Sequence, residues 1–311
     1  MRLCLMIEGQ ENVTWEDWVA LAEACEEHGL EGLFRSDHYA SVMGVYTRGA
    51  LDAWATITAL AGCTERIRLG SLVSPATFRH PSELAKVVTT ADHVSGGRVE
   101  LGLGAGWNEP EHAMYGFAFP DQSTRLEVFA EQLEIVHRQW TEESFDFGGR
   151  HYSLEDCRAL PKPVQSPHPP LIVGGAARRG TVEPAVRFAD EYNTTFATPE
   201  TLRERRERLD EACGRAGRDP ATLRFSLMTT CVVGSDEAEL RERANRVAAV
   251  TGAADGDAFL AARRETGVVG TVEHVREHLA ELEAAGVERV FLQHLDHRDL
   301  EMVALVGREL V

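Results

Sequence analysis

The sequence predicts an α/β fold, an eight-stranded (β/α)8 or TIM barrel, on three observations. A short apolar run, a turn and an amphipathic stretch recur along the chain, although no sequence repeat does. Eight such strand-helix pairs can be counted, the last helix running from Leu300 to Leu310. The segment after the first apolar run, Glu8-Gly9-Gln10-Glu11-Asn12, lacks the Gly-x-Gly-x-x-Gly that an open, nucleotide-binding sheet normally carries there.

Taken in order, Leu3 to Ile7 is the first strand. Thr14 with Asp17 forms a capping box, opening a helix that carries Trp18, Leu21 and Cys25 and stops at Gly29. The second strand is Gly32 to Phe34; a helix over 50–61 ends at Gly62, and Ile67 to Val73 reads as a continuous buried strand. Pro81 opens a helix to about Val94, where Ser95-Gly96-Gly97 breaks it before a fourth strand at Val99 to Leu103. A long helix follows from Ser123 to Trp140. Residues 141–170 leave the rhythm, with three aromatics around Gly148-Gly149 and then five prolines, and read as an inserted hairpin and loop. The remaining strands are Leu171 to Val173, Tyr192 to Phe196, Arg224 to Val233 and Arg289 to Gln293.

Composition sets the outer limits. With 311 residues, 43% hydrophobic and 26% charged, the chain can bury a large core as a single barrel domain over 1–311, which excludes disorder, collagen and coiled coil. A net charge of −18 repels a nucleic-acid duplex or an anionic membrane surface, so neither is expected as a partner. Leu3 to Ile7 puts only five apolar residues between charges, too few for a signal peptide or a membrane span, and a cytoplasmic location is expected. The six scattered cysteines have no zinc-like spacing and read as free, mostly buried thiols.

In such a barrel the chemistry belongs at the C-terminal ends of the strands. The second strand ends in Ser36-Asp37-His38, an acid and an imidazole side by side: one could orient a ligand and the other act as acid or base, or the pair could simply cap and pack the loop. The third runs Ser71-Leu72-Val73-Ser74-Pro75 into Arg79-His80, either a Pro-terminated strand or a backbone bulge pressed on a flat ligand. Gly102, Gly104 and Gly106 after the fourth strand are not a dinucleotide fingerprint; they permit close approach of a ligand or of backbone. After the fifth, Gly174-Gly175-Ala176-Ala177-Arg178-Arg179-Gly180-Thr181 combines backbone N–H groups, cations and a helix N-terminus, a candidate anion cradle.

Five of these segments, Ser36-Asp37-His38, Ser71 to Pro81, Gly102 to Glu109, Val173-Gly174-Gly175 and Gly286-Val287-Glu288-Arg289-Val290, occur in an order and spacing that resembles the bacterial-luciferase-like superfamily, more narrowly its branch dependent on coenzyme F420, a deazaflavin. The resemblance spans nearly the whole chain. It implies a ring held at the C-terminal face against a non-prolyl cis-peptide bulge, which maps to Ser71-Leu72, with Val73 and Ser74 lining the ring. It further implies Asn108 hydrogen-bonding ring or ribityl chain, Gly174, Gly175, Ala176 and Thr181 at the phosphate, and Arg125 near that phosphate. His38 would be the acid/base and Asp37 the ligand-orienting residue. The loop departs from relatives in reading Gly-Gly-Ala-Ala where they carry more glycines.

The implied activity is hydride transfer between the deazaflavin and an unknown small organic substrate. With FMN instead, the implied enzyme is a monooxygenase fed by a separate reductase. Arg79, Lys162, Arg178 and Arg179 could form a local basic mouth for the anionic cofactor. The segments 141–170 and 251–268 are expected as lids or substrate walls, and the resemblance implies a homodimer through outer helices. A metal-dependent hydrolase is the remaining alternative, but no metal site is expected: His274-Val-Arg-Glu-His278 lies on an outer helix, and His294-Leu-Asp-His297 lacks a first-strand His-x-His.

Overall fold

The structure, a computed structural model, describes residues 1–311. Its first half comprises β1 (Arg2–Ile7), α1 (Trp15–Glu27), β2 (Gly32–Arg35), α2 (Ala53–Ala61), β3 (Arg68–Pro75), α3 (Pro81–Ser95), β4 (Val99–Gly104), α4 (Glu109–Tyr115) and α5 (Gln122–Thr141). Then come β5 (Phe145–Gly148), β6 (Ser153–Cys157), β7 (Leu171–Gly174), α6 (Arg179–Phe188), β8 (Glu191–Thr195) and α7 (Pro199–Ala216). The chain ends with β9 (Arg224–Gly234), α8 (Glu237–Thr251), α9 (Gly256–Arg263), β10 (Val268–Thr271), α10 (Val272–Ala284), β11 (Arg289–Gln293) and α11 (Leu300–Leu310).

Local chemistry sets the helix ends. Thr14 Oγ1 accepts from the Asp17 N–H while Asp17 accepts from the Thr14 N–H, the expected reciprocal cap of α1. Asp52 accepts from the Ala55 N–H, so α2 starts three residues later than the apolar pattern alone suggests. Gly96 takes the left-handed conformation, φ +65°, that ends α3.

All barrel strands pair in parallel, in the ring β1-β2-β3-β4-β7-β8-β9-β11 and back to β1. These are the eight strands expected from the sequence. β5 and β6 form the antiparallel hairpin expected in the insertion. β10 and α9 were not anticipated: β10 extends the sheet beside the far half of β9, Val268 opposite Cys231, and α9 buries Phe259 against Val247 and Leu240 of α8. The 251–268 segment is thus packed outer structure and not a lid. Four cysteines are buried as free thiols, but Cys157 is half-buried and Cys63 is exposed. No helix is long and apolar enough to cross a membrane.

One continuous apolar cluster lies between barrel and helices, built from outward-facing strand residues such as Leu5, Leu69, Leu101 and Leu292 and the inner faces of the helices. The inside of the barrel is different. At its N-terminal end the wholly buried Arg289 of β11 donates to Glu100 of β4 and Glu191 of β8, each through a 2.7 Å bond and a second at 3.2 Å. Arg68 of β3 also bonds Glu100, and Arg224 of β9 lies 3.6 Å from Glu191. Above this charged floor sit Phe34 and Phe291, edge to face at 4.8 Å, with Cys4, Ile172 and the side chains of Met6, Leu72 and Met228. Replacing one partner of a buried ion cluster strands the others in low dielectric. The substitution Arg289→Met is therefore expected to cost about 3–5 kcal/mol in urea unfolding; a loss below about 1 kcal/mol would show that Glu100 and Glu191 are satisfied without it.

Candidate active site at the strand ends

Above the Met6, Leu72 and Met228 layer the barrel opens into a cavity of about 750 Å³, walled by residues at the C-terminal ends of the strands. A second hollow, about 630 Å³, lies among α5, α6 and α7 on the outer ring and shares only Leu126 and Gly180 with the first. The site is accordingly the barrel mouth.

His38, two residues beyond the Ser36 N–H that still pairs with Ile7 of β1, lines this cavity. Its Nδ1 lies 2.7 Å from Glu111 Oε2. Glu111 is fully buried on α4 and also accepts from the backbone N–H groups of Tyr39 and Ala40 and, at 3.3 Å, from Asn108 Nδ2. Burial would lower the pKa of His38, but the hydrogen bond and charge of Glu111, reinforced by Glu8 and Asp37, hold it above the ordinary imidazole value. Burial would raise Glu111, but His38 and the two backbone donors hold it below the usual carboxylate range. With Nδ1 engaged, Nε2 is the nitrogen left to exchange a proton with a ligand. Glu111 has no counterpart among the residues singled out from the sequence. The available signal was Pro110, which marks a helix start directly after Asn108.

Asp37 is buried and turned away from the cavity. It accepts from Ser74 Oγ at 2.6 Å and pairs with both Arg79 guanidinium nitrogens. It anchors the loop after β2 to the end of β3. Arg79 also reaches Asp52 and the Tyr39 hydroxyl, so its charge is spent inside the fold.

The third-strand wall is shifted by one residue from the expected place. The non-prolyl cis peptide lies at Leu72–Val73, not Ser71–Leu72, and the β3–β4 register slips between Ser71 and Ser74. Leu72 and Val73 line the cavity. Ser71 instead donates to the Gly102 carbonyl at 3.0 Å, and Ser74 accepts from Trp54 Nε1 at 2.9 Å besides serving Asp37. The Val73 side chain fills the space that a Cβ would need at Gly102, Gly104 and Gly174, so the glycines admit a protein side chain as the wall.

At the end of β7, Gly174, Gly175, Ala176, Arg178 and Thr181 all line the cavity where α6 begins. Behind them the buried Tyr192 hydroxyl accepts from the Ala177 N–H at 2.9 Å and lies 2.6 Å from Thr181 Oγ1. A Cβ on Gly175 would strike both hydroxyls. The Gly175, Ala177 and Thr181 N–H groups are bonded within the fold, but those of Ala176, Arg178 and Gly180 are not, and with the Arg178 cation and the helix N-terminus they can hold a phosphate. Asn108 and Arg125 do not reach the cavity. Asn108 serves Glu111, and Arg125 lies over the Phe119 ring at 3.9 Å with a bond to the Pro120 carbonyl.

Of the four residues expected to form a basic mouth, only Arg178 lines the cavity. Lys162 donates to the carbonyls of Gln139, Glu142 and Arg158, and Arg179 pairs with Glu183 at the surface. No residue of 141–170 or 251–268 lines the cavity; its outer walls are Val42, Trp107 and Phe196. His294 is buried with neither ring nitrogen bonded, which drops its pKa to about 4, while His274 lies on α10 beside a surface hollow between α8 and α9. No group of three or more His, Cys, Asp or Glu is arranged to hold a metal ion.

Comparison with known proteins places this geometry. The chain is 36% identical over 169 residues to an uncharacterized protein of Mycobacterium tuberculosis, 54% of this chain and 58% of that one. It is 31% identical over 203 residues to pyrimidine monooxygenase RutA of Stutzerimonas stutzeri, 62% of this chain and 53% of the relative. The matches thus span a little over half the length of these curated relatives. Among solved structures, an F420-dependent secondary alcohol dehydrogenase in complex with an F420-acetone adduct superposes with a TM-score of 0.84 at 18% identity, covering 99% of this chain and 98% of the other. The family description "Luciferase-like monooxygenase" matches residues 5–289, and the chain belongs to that family.

Proposed function

We propose that the chain is a deazaflavin (coenzyme F420)-dependent oxidoreductase that moves hydride between the cofactor and a small organic substrate. The observation that carries this reading is His38, held by Glu111 with Nε2 free, beside the Leu72–Val73 wall and inside the cavity. The site fits the cofactor. Leu72 and Val73 offer an apolar wall for a ring, and Ala176, Arg178 and Gly180 offer donors for a phosphate.

A bound deazaflavin supplies hydride to an electrophilic carbon when reduced and takes hydride up when oxidised. The protein does the rest. His38 holds a proton at Nε2 and gives it to the substrate heteroatom as the adjoining carbon gains hydride; in the reverse direction it receives that proton. Glu111 fixes the imidazole orientation and favours the protonated ring, so the acid is present near neutral pH. Asp37 acts at one remove, holding the loop that carries His38. The similarity to the F420-dependent alcohol dehydrogenase supports this reading, and that to RutA supports the second one, an FMN-dependent monooxygenase with a separate reductase.

Titration with oxidised F420 and, separately, with FMN at fixed salt decides between them. Micromolar F420 binding with much weaker FMN binding is expected, and preference for FMN would transfer the chain to the second reading. In the F420-loaded enzyme, His38→Ala is expected to lower turnover about 10²–10⁴-fold while cofactor affinity stays within a few-fold; unchanged turnover removes His38 from the mechanism.

The His38–Glu111 pair also has a signed pH signature. Because the folded pKa of His38 is raised, its stabilisation is full below the unfolded value of about 6.5 and fades as pH rises through the folded value. The lowered Glu111 contributes above its unfolded value of about 4.3 and loses that contribution as pH falls through the folded value. Between those limits wild type should exceed Glu111→Gln in stability by the largest margin, and the variant's basic limb of turnover should move to lower pH. A stability difference independent of pH would refute the ionic pairing.

A further inference from the structure

Seven carboxylates are buried in this chain: Glu8, Glu11, Asp37, Asp92, Glu100, Glu111 and Glu191. Five have a cationic partner, namely Arg48 for Glu11, Arg79 for Asp37, Arg289 for both Glu100 and Glu191, and His38 for Glu111. Asp92 has none but accepts three N–H groups from Val164 and Gln165, outside the cavity. Glu8 alone faces the cavity without a cation in direct contact; the charges of Arg35 and His38 act on it only from farther off.

Its two donors are neutral amides. Gln293 Nε2 reaches Oε1 at 2.6 Å and Gln10 Nε2 reaches Oε2 at 2.8 Å. Each amide carbonyl in turn accepts a hydroxyl, Thr230 on Gln293 at 3.0 Å and Ser36 on Gln10 at 2.5 Å, which leaves both amide N–H groups to Glu8. Glu8 is therefore held as an acceptor, and each oxygen keeps a lone pair unused. Around it are the apolar side chains of Met6, Leu72 and Met228, where a charge is poorly screened.

Position in the ring adds direction. In the order β1-β2-β3-β4-β7-β8-β9-β11 the strand that Glu8 directly follows, β1, stands diametrically opposite β7. The two rims of the mouth thus differ in sign, Glu8 on one and Arg178 with the α6 N-terminus on the other. An anionic cofactor is drawn to the β7 rim and repelled from the β1 rim, which leaves Glu8 to the substrate.

We propose that Glu8 is a substrate-recognition residue and that the substrate is a small amine, bound as an ammonium ion with its apolar body against Met6, Leu72 and Met228. This rests on the reading of the mouth as the site of a deazaflavin or flavin enzyme. The ammonium donates to the open lone pairs of Glu8 and supplies the direct ion pair the fold omits.

The test uses three probes of matched shape, benzylamine, benzyl alcohol and toluene, titrated by ligand-observed NMR into the full chain with and without saturating F420 or FMN. Benzylamine is expected to bind at least tenfold tighter than either neutral probe. Glu8→Gln should remove that preference while leaving cofactor affinity within a few-fold. Equal binding of the three probes by wild type overturns the proposal with no variant needed. Benzyl alcohol matching benzylamine, a preference that survives Glu8→Gln, or a variant that loses cofactor affinity tenfold but keeps the preference would each overturn it as well. Failure of wild type to bind either cofactor refutes the preceding functional reading, whereas the amine preference of the cofactor-free chain still decides the role of Glu8.

Discussion

The double ion pair of Arg289 is the constraint from which the rest of the barrel follows. Its guanidinium joins β11 to β4 and β8, strands that are not neighbours in the ring, so the contact spans the interior and leaves no passage at the N-terminal end. Such a cluster is retained at a desolvation cost that a hydrophobic plug would avoid, and its geometry must be complete to offset that cost. Here each carboxylate receives two bonds from Arg289, and Arg68 and Arg224 supply further charge from the side. With the floor closed by charge and the middle by Phe34 and Phe291, hollow space remains only above Met6, Leu72 and Met228. The location of the site is a consequence of what fills the other end.

The upper wall is then a matter of which side chains turn inward. Regular alternation along β3 places Arg68, Gly70 and Leu72 inside, and the register slip after Ser71 lets Val73 face the cavity too, beside Leu72. Ser71 and Ser74 consequently turn outward, to Gly102 and to Asp37 and Trp54. Three glycines on β4 and β7 make the room for Val73. Two apolar side chains in succession on one face are what a flat ring can lie against, and the displaced serines tie the wall to the loop carrying His38.

The strand-helix rhythm, the caps at Thr14 and Pro81 and the eight barrel strands were legible because each depends on residues close in sequence. So was the position of His38, at the tip of a barrel strand. The direction of Asp37 was not: its partners are 37 and 42 positions away, and an Asp beside a His reads equally well as ligand contact or as anchor. Glu111 escaped for the same reason, lying 73 positions from the imidazole it holds. The 251–268 stretch, rich in Gly and Ala, is expected from sequence as a lid or substrate wall, but Phe259 gives α9 an apolar anchor on α8 that no local pattern reveals. A long-range contact fixes each of these, and one sequence records only its two ends.

The charge arithmetic of the whole chain also gives way to local geometry at the mouth. A net charge of −18 would repel an anionic cofactor at distance, yet over more than about 8 Å exposed charges are screened at physiological salt. Within that range a phosphate at the β7 rim meets Arg178, backbone N–H groups and the α6 N-terminus, while the buried Glu111 charge on α4 is already neutralised by His38. What the phosphate encounters is therefore set by a few groups at short range. The same argument separates the two carboxylates near the imidazole. Glu111, saturated by His38 and three N–H donors, serves the fold and the proton, whereas Glu8, held only by neutral amides, keeps a field directed into the cavity. Two acids flanking one histidine thus take different roles, and their hydrogen-bond partners decide which.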